Sequence, residues 1–158
     1  MTQPPPIILI AEDDPVFRRV MGFSIARAGF TVESVGDGEA AYQRLCRGGI
    51  RFLVTDHQMP ICTGLELLDR LAATQTKRNP WPPAILCTAK GLELDSQAME
   101  SRYNLVAVMH KPFSPRKLSE LILKHVPTQG IGSRPAVFPI MGNSSGTSGS
   151  QAEASGNG

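Results

Sequence analysis

The sequence predicts an α/β domain over residues 7–126: a doubly wound parallel sheet of five strands with five helices. Three observations predict it. Short apolar runs alternate with segments of helical periodicity, five times over. Most of the runs are apolar on both faces, as strands are when helices cover both sides of a parallel sheet. Several of the runs stop at a polar or charged residue.

Each element has its own warrant. Ile7 to Ala11 is a continuous apolar run ending in acids, and reads as a first strand. Phe17, Val20, Met21, Ser24, Ile25 and Ala28 recur at helical spacing, with Gly29 following as a C-terminal cap. Asp14 is placed to be the helix's N-terminal acid. Thr31 to Val35 alternates like a half-exposed strand. Gly38 to Arg47 reads as a helix ended by Gly48 and Gly49. Phe52 to Thr55 is a second buried strand, stopping at Asp56. Leu65, Leu68, Leu71 and Ala72 mark a third helix. Lys77 to Pro83, with three prolines and Trp81, is a loop in which Trp81 is expected to pack. Ala84 to Thr88 is a fourth strand, and a short polar helix is expected around Leu92–Ser101. Leu105 to Met109 is the fifth strand. Leu118, Leu121, Ile122 and His125 define a last helix, with Ser114 as N-cap and Pro115 at its first position.

Composition narrows the function classes. The chain has 158 residues, with 16 Lys+Arg against 14 Asp+Glu, so its net charge is only +2. That balance offers no basic field for nucleic acid and no polybasic membrane patch. No apolar run approaches the roughly 18–20 residues of a membrane span. The first residues lack the basic start and apolar stretch of a signal peptide. Cys46, Cys62 and Cys87 are an odd number without a C-x-x-C pair, and read as buried, reduced thiols of a cytoplasmic protein. Residues 1–6 are an extension. Residues 127–158 contain 7 Gly, 6 Ser and 3 Pro, the composition of a disordered tail. Within that tail Ala136 to Met141 is more apolar than the rest.

In a doubly wound sheet, sites lie beyond the carboxyl ends of the strands. Glu12, Asp13 and Asp14 follow the first strand, Asp56 the third, Thr88 the fourth and Lys111 the fifth. All converge on one edge. Clustered carboxylates stay ionised together only with a cation among them. With oxygen ligands and neither His nor Cys converging, that cation is hard, and Mg²⁺ (or Mn²⁺) is the natural choice. A carboxylate beside it can attack phosphorus, and Asp56 stands alone facing the acids. Lys111 supplies a further cation and Thr88 a hydroxyl donor for the moving phosphoryl oxygens.

Four segments carry a resemblance: Ile8 to Pro15, Val54 to Pro60 with Gly64, Cys87 to Ala89, and His110 to Phe113. Together, in order and at strand ends, they resemble the receiver domain of two-component response regulators, single-domain chemotaxis regulators included. The resemblance covers about residues 7–126. It implies a flavodoxin-like sheet of order 2-1-3-4-5. It implies Asp56 as phosphoacceptor, Asp13 as direct metal ligand, Glu12 acting through water, and the Gln58 backbone carbonyl as a further ligand. It implies Thr88 and Lys111 on phosphoryl oxygens and a cis peptide between Lys111 and Pro112. It also implies a phosphorylating partner, a histidine kinase or a histidine phosphotransfer protein, docking near Pro15, Val16, Arg18, Pro112 and Phe113. Downstream, an unidentified protein rather than DNA would receive the signal.

Two departures stand out. Members of that family usually carry Tyr or Phe three residues before the lysine, where this chain has Val108. Output is then expected through the backbone around Thr88–Gly91 and the short fourth helix, or by an unusual switch. The segment after Met59-Pro60 reads Ile61-Cys62-Thr63-Gly64 instead of the usual pattern, and Gln58 is placed to influence dephosphorylation. His57 is expected to be an exposed loop histidine and His110 to be structural. Three other classes compete. A haloacid-dehalogenase-type aspartyl-phosphate phosphatase needs a second Asp where Gln58 stands. An FMN binder needs a phosphate loop where Glu12, Asp13 and Asp14 stand. A receiver-like module acting without phosphorylation remains open because of Val108.

Overall fold

Strand β1 (Ile7–Ala11) lies between β2 (Thr31–Val35) and the central strand β3 (Ile50–Asp56), and β4 (Ala84–Thr88) and β5 (Leu105–His110) extend the sheet beyond β3. These elements come from a computed structural model that describes residues 3–89 and 95–128. All four strand pairs are parallel and the order is 2-1-3-4-5, as the resemblance implied. The helices are α1 (Pro15–Arg27), α2 (Gly38–Cys46), α3 (Gly64–Thr74), α4 (Ser96–Tyr103) and α5 (Pro115–His125). Among the described residues no helix is long and apolar enough to cross a membrane.

The alternating side chains of the strands feed two separate cores. Leu9, Leu53 and Leu86 meet Leu45, Leu67 and Leu68 of α2 and α3 on one face. Ile8, Ile10, Phe52, Val54 and Ile85 meet Met21, Ile25, Leu118 and Ile122 of α1 and α5 on the other. At β2, one of the two edge strands, the residues are only half-buried or exposed. Trp81 packs on the first core, its ring 6.3 Å from that of Tyr42.

Local signals account for most helix ends. The Asp14 carboxylate accepts from the backbone N–H groups of Val16 (2.8 Å) and Phe17 (3.1 Å), and Pro15 occupies the first turn. Gly29 takes φ +102°, which ends α1. In α3 Thr63 and Glu66 form a reciprocal capping box.

Several expectations need correction. Val20 lies on the outer face of α1, 46 % exposed, because the buried stripe runs through Met21, Gly22, Ile25 and Ala26. Ser114 holds the N-cap position of α5, but its side chain makes no capping bond. α4 starts at Ser96; Leu92 to Leu94, placed in that helix by sequence, lie outside the described residues, as does the Gly91 end of the expected output segment. Cys46 is exposed at the end of α2, whereas Cys62 and Cys87 are buried. The expected tail lies outside the described residues from 129 onward, including Ala136 to Met141.

Candidate functional site

The polar strand ends meet at the carboxyl edge of the sheet. Glu12 follows β1 directly and is only 1 % exposed. Its backbone N–H donates to Val35 O (3.1 Å), and Arg18 of α1 donates to its carbonyl (2.6 Å). Asp56 ends β3 at 6 % exposure. Lys111, just beyond β5, stands between the two: its Nζ lies 2.9 Å from Glu12 Oε2 and 3.1 Å from Asp56 Oδ1. Phe17 shields this ammonium, its ring centroid 4.6 Å from Nζ, and Phe113 meets Phe17 edge-on at 5.5 Å. The Lys111–Pro112 peptide is cis, as the resemblance implied.

Asp13 completes the cluster. Carboxylate oxygens of Glu12, Asp13 and Asp56 all lie within 4.8 Å of one another. Asp13 itself is exposed, so the group opens to solvent on its side. The loop after β3 holds Asp56 from behind. His57 N–H donates to Cys87 O (2.8 Å), and Gly64 N–H donates to His57 O (2.9 Å). A side chain at Gly64 would collide with the Asp56 carbonyl oxygen. That close approach is why glycine stands there.

Charge is under strain in this arrangement. Burial pushes the Asp56 carboxyl above the ordinary aspartate range, and the hydrogen bond and charge of Lys111 oppose that without cancelling it. Glu12 is raised for the same first reason, against the hydrogen bonds from Lys111 and the Asp14 N–H. Burial alone would lower Lys111, but the hydrogen bonds and charges of Glu12 and Asp56 together outweigh it and raise its pKa. One ammonium thus serves two buried carboxylates. The donor set is all oxygen and holds more negative charge than Lys111 neutralises, which suits a hard divalent cation.

Thr88 ends β4 and is fully buried. Its carbonyl accepts from Lys111 N–H (2.8 Å). Its hydroxyl lies 3.3 Å from Ala89 O, to which it can donate, and 3.2 Å from His110 Nδ1. That His110 contact was not visible in the sequence, because it depends on the β4–β5 register, which pairs Thr88 with His110. Val108 is half-buried against the α3 side of the core. Gln58 is exposed two residues beyond Asp56. His57 is not the exposed loop residue expected from its neighbours. It is half-buried, and its Nδ1 is shielded without a hydrogen-bond partner among the described residues.

A doubly wound 2-1-3-4-5 sheet with three carboxylates and a lysine at its carboxyl edge defines the receiver class, a signalling phosphoacceptor class and not one of conventional enzymes. The family model for the response regulator receiver domain matches residues 8–123, and the chain belongs to that family. The response regulator protein FleR of Pseudomonas aeruginosa is 29% identical over 126 residues, 80% of this chain and 26% of that protein. The transcriptional regulatory protein SrrA of Staphylococcus aureus is 29% identical over 112 residues, 70% of this chain and 44% of that protein. The chain thus spans less than half the length of these curated relatives. Among solved structures, a putative response regulator from Chloroflexus aurantiacus superposes with a TM-score of 0.66 at 24% identity, covering 76% of this chain and 96% of that one. The receiver domain of Saccharomyces cerevisiae Ssk1, crystallised with the histidine phosphotransfer protein Ypd1, belongs to a structure matched at TM-score 0.68 and 17% identity, covering 80% and 92%.

Proposed function

We propose that this chain accepts a phosphoryl group on Asp56 from the phosphohistidine of a histidine kinase or histidine phosphotransfer protein, and signals through protein contacts. The observation that carries this reading is Lys111 Nζ seated between Glu12 and Asp56 beside a three-carboxylate cluster. An Asp56 oxygen attacks phosphorus. The P–N bond to the donor imidazole breaks, and the imidazole leaves with the electron pair. Lys111 follows the charge onto the phosphoryl oxygens, and Thr88 donates its hydroxyl proton to one of them. Glu12, Asp13, Asp56 and the Gln58 carbonyl would hold Mg²⁺ or Mn²⁺. Such an ion neutralises charge on the transferring group when bound. Hydrolysis later breaks the Asp56 O–P bond, releases inorganic phosphate and restores the carboxylate.

The donor would dock where Pro15, Val16 and Pro112 are exposed around half-buried Arg18 and Phe113. The Ypd1 co-crystal structure supports a partner of that kind by analogy. The proposed functional unit spans residues 7–126. Its setting is cytoplasmic, its output a protein and not DNA.

The test is incubation with Mg²⁺ and acetyl phosphate, followed by assay for an alkali-labile adduct. Wild type should gain one phosphoryl group and Asp56→Asn none. Equal labelling of both, or of neither, would sink the reading. Labelling of neither would favour a module that binds without phosphorylation.

A further inference from the structure

Thr88 has one hydroxyl proton, so it serves one acceptor at a time. Two partners are already within reach: Ala89 O at 3.3 Å, and His110 Nδ1 at 3.2 Å, which accepts when the ring carries its proton on Nε2. The contact with His110 is built into the sheet. Thr88 and His110 are register partners in adjacent parallel strands, and Lys111 N–H on the Thr88 carbonyl (2.8 Å) locks that register. The two partners differ in surroundings. Thr88 is fully buried at the end of β4, one residue beyond Cys87, the register partner of Asp56. His110 is exposed. A hydroxyl beside the phosphoacceptor is thus tied to a ring that solvent can reach.

We propose that His110 is a positioning residue: its Nδ1 accepts the Thr88 proton and holds that hydroxyl in the unphosphorylated arrangement. The proposal deepens the phosphoacceptor reading and rests on it. When a phosphoryl group sits on Asp56, Thr88 must leave His110 before it can donate to a phosphoryl oxygen. His110 therefore competes with the phosphoryl group for one proton and makes the engaged arrangement harder to reach. Removing a single competing hydrogen bond of ordinary net strength should speed phosphorylation about 2- to 10-fold. The imidazole touches no reacting atom and acts only through Thr88.

The experiment compares phosphorylation rates with acetyl phosphate and Mg²⁺ in wild type, His110→Leu and His110→Asn, and the His110→Leu effect in a Thr88→Val background. Leucine keeps the strand and removes the acceptor. Asparagine presents its Oδ1 near the place of Nδ1 and keeps it. The expected result is a rate about 2- to 10-fold above wild type for His110→Leu, within about 2-fold for His110→Asn, and no effect of His110→Leu when Thr88 is Val. A rate unmoved by His110→Leu, or raised equally in the Thr88→Val background, overturns the proposal while leaving Asp56 as acceptor. A wild type that forms no adduct overturns the phosphoacceptor reading and this proposal with it. Nitrogen NMR of the His110 ring gives an independent readout. The Nδ1 resonance should move on Thr88→Val, and an unmoved resonance also overturns the proposal.

Discussion

Asp56 and Glu12 are both nearly inaccessible to water and share one lysine. Because burial raises Asp56 above its ordinary range, folding favours its protonated form relative to the unfolded chain. The stability this contributes is present below the ordinary aspartate value of about 4 and is lost as pH rises through the raised one. At neutral pH the ionised group therefore opposes folding. Asp56→Asn keeps the shape and removes the charge, so it should raise stability at pH 7 by about 1 kcal/mol, roughly 4 °C in Tm. The gain should shrink as pH falls through the raised value and be gone below about 4, and thermal scans of both proteins across pH check it. The opposite trend would show that Lys111 more than neutralises the pair. Glu12, Asp13, Asp56 and Lys111 were legible in the sequence because strand ends converge in a parallel sheet whatever the details of packing. The partner of the Thr88 hydroxyl was not. It depends on which β5 residue stands opposite Thr88, and an irregularity between Ala84 and Ile85 shifts that register.

At the scale of the element, α3 shows two kinds of constraint side by side. Thr63 closes a capping box with Glu66, and its loss to Ala removes one capping bond. Gly64, the next residue, is held by backbone contact, since any Cβ there would strike the Asp56 carbonyl. Thr63→Ala should cost about 1 kcal/mol. Gly64→Ala should cost about 3 kcal/mol by displacing the loop that carries Asp56. Urea unfolding midpoints would rank them, and equal costs would mean the loop yields freely. Helix interiors were readable from periodicity, but facing was not always so. Val20 fits the apolar repeat of α1 yet points outward, because one helix turn has room for more apolar residues than the sheet can cover. Ser114 is likewise a capping residue by type, without the bond.

Across the whole molecule the sheet separates two cores that share only backbone. Leu67 lies in one and Ile122 in the other. Leu67→Ala should cost about 3 kcal/mol and Ile122→Val about 1 kcal/mol. Their effects should add within about 0.5 kcal/mol, which denaturant titration of the double mutant would check. A larger discrepancy would mean that strain crosses the sheet. Fold class and strand order followed from the alternation of buried runs with helical periodicity. The start of α4 did not, since its segment is polar and short, buries only Met99 and packs Tyr103 partly against the core.

The three thiols sample three depths of this architecture. Cys46 meets solvent, Cys62 sits under the loop beside α3, and Cys87 lies in the middle of the sheet, both buried thiols raised in pKa by burial. Only thiolates react quickly with a maleimide. The folded protein should therefore take up one label fast, at Cys46, and two more only as it opens. Modification at Cys62 would time excursions of the loop behind Asp56, and modification at Cys87 would time loss of the sheet itself. The chain thus carries its own clock for local and global opening, readable by mass spectrometry without any added probe site.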